Sequence, residues 1–141
     1  MILYTFRTNK NIADFLNLAG LSLDTPVFVI DKPSQDIPKL LNLISDQESK
    51  WVIGFASIAR GSSRWENFAV NRFGSGMVSH DLPLGAELKL SKPDFLGELS
   101  KVPVGEGMSA SFCNQAAFRV EEFIKLSNPK IRSAFLHFRS N

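Results

Sequence analysis

Pro26-Val-Phe-Val-Ile-Asp31 is a short unbroken apolar run between a proline and an acid. It has no polar side to turn toward water, so it reads as a strand covered on both faces, as in a parallel sheet. Ile2 to Phe6 reads as the strand before it and Trp51-Val-Ile-Gly-Phe-Ala56 as the strand after it. Helical patterns fill the gaps. Asn9 can cap a helix to about Ala19, with Ile12, Phe15, Leu16 and Ala19 on one face and Gly20 as its stop. Asp36 can cap a second, with Pro38 in its first turn and Ile37, Leu40, Leu41 and Ile44 on its apolar face. Strands alternating with helices predict an α/β fold, a three-layer α/β/α sandwich around a mostly parallel central sheet.

Downstream, Glu66-Asn-Phe-Ala-Val-Asn71 is strand-like, as is Met108 to Phe112. Asn114 to Leu126 is helix-like, and Ser133-Ala-Phe-Leu-His-Phe138 is an apolar run of strand type. Between Gly74 and Gly107 glycines and prolines crowd the chain, with one short helix expected from Pro93 to Lys101. Residues 1–141 read as a single domain, large enough to bury a core without staples.

Composition narrows the function classes. Sixteen basic and fourteen acidic residues leave a net charge of +2, and the basic residues are scattered. Nucleic-acid binding would need a basic stripe, so no nucleic-acid partner is expected. Twelve phenylalanines fall mostly in apolar runs and read as core rather than as stacking platforms. One cysteine excludes an internal disulfide and makes no zinc cluster. The start has neither a basic n-region nor a long apolar h-region, and no stretch approaches the roughly 20 apolar residues of a membrane span. No membrane partner and a cytoplasmic location are expected. The sequence leaves a homo-oligomer open.

That cysteine, Cys113, stands where a strand-like run meets a helix-like one. A thiol there lies over the free N–H groups at the positive end of a helix dipole, which favours thiolate. His137 sits inside an apolar run, where a polar ring needs a partner. Glu66 opens another such run. Cys, His and a carboxylate are the parts of a thiol hydrolase. The bland alternatives stay open: a small buried hydrophobe for Cys113, a satisfied core histidine for His137, a solvated strand end for Glu66. Ser57-Ile-Ala-Arg-Gly-Ser-Ser-Arg64 leaves the third strand, where open α/β sheets hold ligands. It lacks the Gly-Lys-Ser/Thr ending of a phosphate loop.

These residues resemble pyroglutamyl peptidase I, the pyrrolidone-carboxylate peptidases. Glu66-Asn-Phe-Ala-Val-Asn71 is similar to that family's glutamate signature, keeping Glu66, Ala69 and Asn71. Cys113-Asn114 followed by Phe118 resembles its cysteine signature, and Phe135-Leu-His137 its Phe-Ile-His segment. Gly54-Phe-Ala-Ser-Ile-Ala-Arg60 resembles the Gly-Leu-Ala-Gly-Gly-Arg stretch before the glutamate. The order Glu, Cys, His is the family's. The chain departs from it elsewhere. The N-terminal Gly-Phe-Glu-Pro-Phe-Gly loop is replaced by Ile2 to Thr8, which keeps only Phe6. Gly76 falls roughly where a family arginine stands. Met108-Ser-Ala110 replaces Thr-Ala-Gly.

The resemblance implies one pyroglutamyl-peptidase-like domain that acts on a small peptide or amide substrate without cofactor or metal. It implies Cys113 as nucleophile, His137 as base and Glu66 as the group orienting the histidine. Phe6, Ser57, Arg60 and Phe112 would bind substrate, with Arg60 or Arg72 left to supply the missing cation. The alternative is a non-catalytic binding or interaction protein that keeps the scaffold and has lost the pocket.

Overall fold

The computed structural model describes residues 1–109 and 111–139. Five strands form the main sheet: β1 (Ile2–Phe6), β2 (Phe28–Ile30), β3 (Trp51–Ser57), β4 (Arg64–Trp65) and β7 (Arg132–Phe138). Their order is β2-β1-β3-β7-β4, all parallel except β4, which runs antiparallel to β7. Strands β5 (Phe68–Val70) and β6 (Glu87–Lys89) make a separate antiparallel ribbon. The helices are α1 (Ile12–Leu18), α2 (Pro33–Asp46) and α3 (Phe112–Ser127), with a 3-10 turn at Gly97–Lys101.

Side chains alternate across each strand and so divide between two cores. Ile2, Tyr4, Phe6, Val52, Ala56 and Phe135 join the apolar faces of α2 and α3. Leu3, Ile53, Phe55, Ala134, Leu136 and Phe138 join α1 and the 3-10 turn, where Phe15 and Phe55 stack with ring centroids 3.7 Å apart. Two cores on opposite faces of one mostly parallel sheet make the expected three-layer α/β/α sandwich. Ala69 and Leu88 carry the β5–β6 ribbon into the α3 core. No helix among the described residues is long and apolar enough to cross a membrane.

Several local expectations are corrected. β2 is an edge strand, and Val29 is 42% exposed rather than covered. An apolar run does not show whether a second neighbour will pair with it. Asn9 is not the cap of α1: its amide donates to Thr5 Oγ1 and its oxygen accepts from the Asn11 N–H, so the helix starts later. Helix α2 starts at Pro33, which places Pro38 in its interior. The Asp36 carboxylate reaches back to the N–H groups of Lys32 and Asp31 (2.8 and 2.7 Å), which hold its pKa below the usual range.

The expected strand from Glu66 to Asn71 is broken, with Glu66 and Asn67 between β4 and β5. The strand expected over Met108 to Phe112 is not formed by its described members. Met108 donates one bond to Phe68 O, and Phe112 already belongs to α3; Ala110 lies outside the described residues. The helix expected over Pro93 to Lys101 is the shorter 3-10 turn.

Gly54 is the tightest point of the sheet. A Cβ there would lie 2.3 Å from Tyr4 Cζ and 2.6 Å from Phe135 Cδ2, both on fully packed rings. Overpacking of this kind costs about 1–3 kcal/mol. Gly54→Ala should therefore destabilise the protein by about 2–3 kcal/mol, read as a lower urea midpoint at unchanged m-value. A midpoint equal to that of the parent chain would show that the Tyr4 ring moves aside freely.

Candidate active site

Register brings the histidine and the glutamate together. β7 pairs with β3 so that His137 lies opposite Ala56, and with β4 so that it lies opposite Arg64. His137 and Phe135 share one face of β7, with ring centroids 5.0 Å apart, and Phe135 belongs to the α2–α3 core. The chain leaves β4 at Trp65, and the Glu66 N–H donates to Phe135 O at 2.9 Å. This turns a 2% exposed carboxylate toward the imidazole. His137 Nδ1 lies 3.1 Å from Glu66 Oε1. An ionised carboxylate only accepts, so Nδ1 is the donor and the lone pair falls on Nε2.

The same oxygen holds Arg64 Nε at 2.6 Å. A buried carboxylate needs such a partner to stay ionised. Gly105 makes room for it, since a Cβ there would sit 2.7 Å from Arg64 Cδ. In the sequence Arg64 stands with Arg60 and Arg72 as the nearest approach to a basic cluster, lining a site or in solvent, with nothing that ties it to Glu66 beyond its place two residues before it. Glu66 Oε2 is buried and accepts no hydrogen bond from the described residues.

Cys113 is the second residue of α3. The helix begins there because Ser111 caps it, its Oγ accepting from the Asn114 N–H at 3.3 Å. The half-buried thiol packs against the core that contains Phe135, on the sheet face where His137 lies. Among the described residues no hydrogen bond joins it to the His137 ring, whose bond goes to Glu66. The expected thiolate bias is reversed. Burial pushes the thiol up to about 11, the negative Glu66 adds to this, and a bond from the residue's own backbone only partly opposes it.

A cavity of about 420 Å³ opens at the C-terminal ends of β1, β2 and β3, beside the start of α3. Phe6, Ser57, Phe112 and Cys113 line it together. Arg60 is exposed and does not line it, so the residue expected to bind there stands apart. Arg7 lines it instead, paired with Asp31 at 3.2 Å. Gly76 lies in an exposed turn closed by reciprocal 2.9 Å bonds with Phe73. Phe73 in turn meets Phe112 at 5.3 Å between ring centroids, which joins that turn to the cavity wall.

Two buried asparagines build the frame. Asn114 accepts from the Val70 N–H and donates to the carbonyls of Val70 and Arg72 (2.8–2.9 Å), locking the first turn of α3 to β5. Asn71 donates to the carbonyls of Ser79, Leu82 and Pro83 and accepts from the N–H groups of Val78 and Ser79. It organises the loop that β5 and β6 enclose. Both were visible as motif positions, but their work could be seen only in three dimensions.

No family model matches the chain, and no curated protein matches it in sequence. Solved structures do match. The chain has the fold of pyroglutamyl peptidases. Pyroglutamyl peptidase I from Bacillus amyloliquefaciens superposes with a TM-score of 0.69 at 15% identity, over 96% of this chain and 79% of that one. The pyrrolidone carboxyl peptidase of Thermococcus litoralis gives 0.68 at 14% identity, over 96% and 74%. That of Thermus thermophilus gives 0.67 at 16% identity, over 100% and 85%. The sequence resemblance thus holds at the level of the fold.

A thiol near 11 is about one part in a thousand thiolate at pH 8. Alkylation of Cys113 by iodoacetamide should accordingly be slow at neutral pH and rise about tenfold per pH unit toward 11. The unfolded chain, with an ordinary thiol near 8.5, ionises first, so the folded state loses stability as pH rises from about 8.5 toward 11. An alkylation midpoint below 8.5 would mean that the helix dipole outweighs burial.

Proposed function

We propose that this protein is a cysteine hydrolase of omega-peptidase type that removes an N-terminal pyroglutamyl residue, or cleaves a closely related small amide. The observation that carries the reading is the Glu66–His137 hydrogen bond on the sheet face where Cys113 opens α3. His137, held by Glu66 with Nε2 free, takes the thiol proton as Cys113 attacks the amide carbonyl. It then gives that proton to the leaving amine, and water hydrolyses the thioester. Glu66 stabilises the imidazolium formed in between.

In the first turn of α3, the Asn114 N–H is taken by Ser111 Oγ and that of Gln115 by Ser111 O. Among the described residues the Phe112 N–H has no partner and is left for the oxyanion, while the Cys113 N–H, which bonds its own sulfur at rest, joins it once that sulfur is acylated. Phe6 and Phe112 give the cavity aromatic walls suited to a small, flat, uncharged ring. With the thiol protonated at rest, the proton transfer to His137 belongs to the reaction itself, not to a preformed ion pair.

A second reading, a binding module on the same scaffold, is favoured by the raised thiol and by Arg64 drawing on the oxygen that serves His137. Release of a chromophore from a pyroglutamyl amide separates the two. Cys113→Ala and His137→Ala should each lower kcat/KM by on the order of 10³-fold or more, and Glu66→Gln by less. Gly76→Arg, at a turn where a Cβ meets nothing closer than Phe73 O at 3.6 Å, should raise turnover by restoring a cation beside the cavity wall. Hydrolysis that survives Cys113→Ala, or none at all in the parent chain, would overturn the peptidase reading.

A further inference from the structure

A second cleft, about 510 Å³, lies on the far side of Glu66 between the β5–β6 ribbon and the start of β7. Four cations converge on it from separate elements: Lys89 from β6, Lys92 just beyond it, Lys125 from the last turn of α3 and Arg132 from the first position of β7. That is twice the net charge of the whole chain, gathered in one depression. All four are exposed, and among the described residues none makes an ion pair within 4.0 Å.

Glu66, the one carboxylate in the lining, and Glu121 beside it each have a partner other than these four cations. Glu66 is held by Arg64 and His137. Glu121, which Lys125 influences from a distance, accepts from Ser133 Oγ at 2.8 Å. Asn67 and Ser91 add polar side chains to the lining. Guarding the open edge of the ribbon would account for Lys89. It does not account for Lys125 and Arg132, which come from another layer. Like charges brought together without a counter-ion repel, and such a concave positive field concentrates anions.

We propose that this cleft is a binding site for a small multivalent oxyanion, a compound bearing clustered phosphate or carboxylate oxygens. The lysines act as adjustable point charges and Arg132 as a planar donor fork. A short concave site, not a stripe, limits the ligand to a small molecule. The site stands apart from the Cys113 cavity and meets the proposed catalytic residues only at Glu66.

Calorimetric titration with inorganic pyrophosphate and with citrate, at constant ionic strength set by sodium chloride and without peptide substrate, tests this independently of peptidase activity. Saturable one-to-one binding of at least one probe is expected. It should weaken at least tenfold in Lys89→Gln/Arg132→Gln and stay unchanged in Lys39→Gln, a lysine outside the cleft. Preference for pyrophosphate or for citrate names the oxyanion class. Thermal melts confirm that the variants, all at exposed positions, remain folded. Absence of saturable binding to either probe, equal binding by the double variant, or an equal loss in Lys39→Gln would overturn the assignment.

Discussion

Parallel pairing of β3 with β7 along seven residues, from Trp51 opposite Arg132 to Ser57 opposite Phe138, is the constraint on which the remainder of the molecule depends. β7 is also flanked by β4, so both its edges are hydrogen-bonded and its side chains must enter one core or the other. Odd positions Phe135 and His137 then share the α3 side, while Leu136 and Phe138 pass to the α1 side. A one-residue slip would exchange the two sets and bury His137 among Phe15, Phe55 and Leu96 with no carboxylate in reach. The register that satisfies the apolar residues is therefore the one that builds the Glu66–His137 pair.

The site is expensive to hold in place. Glu66, Asn71 and Asn114 are at most 2% exposed, and buried polar groups cost stability unless they are paired. The asparagines meet this by bonding backbone groups, Asn114 those at the end of β5 and Asn71 those of a loop that has no regular ladder of its own. Asn114 closes both the donor and the acceptor of Val70. Asn71 gathers five backbone groups of the segment between β5 and β6. A region rich in glycine and proline is thereby held in one conformation by two side chains, and the turn containing Gly76 is brought to the wall at Phe112.

How far the sequence could be read follows the range of the interactions concerned. β1, β3, α3 and β7 were legible because burial on both faces, or on one helical face, leaves a periodic or unbroken apolar record. β6, three residues long with only Leu88 buried, leaves none. The starts of α1 and α2 were misread because Asn9 and Asp36 form their bonds with groups outside the expected caps. Cys113, His137 and Glu66 could be named, but their environment could not. Arg64 reaches Glu66 through strand pairing with β7, residues remote in sequence, and the burial of Cys113 depends on a core assembled from residues remote in sequence.

Arg64 and the raised thiol belong to one electrostatic problem. A carboxylate shielded from water beside a half-buried thiol opposes ionisation of that thiol, and burial adds to the opposition. Arg64 offsets part of the Glu66 charge through the same oxygen that His137 uses. That reduces the repulsion Cys113 meets on losing its proton, and it also reduces the stabilisation Glu66 can offer an imidazolium. In the proposed reaction the two effects would pull the thiol-to-imidazole proton transfer in opposite directions. A resting site with a neutral thiol beside a carboxylate–guanidinium pair follows from that balance. In the proposed peptidase reaction, charge separation between Cys113 and His137 would then require a further stabilising contact, and a substrate carbonyl over the Phe112 N–H would supply one by drawing negative charge off the sulfur as the bond forms.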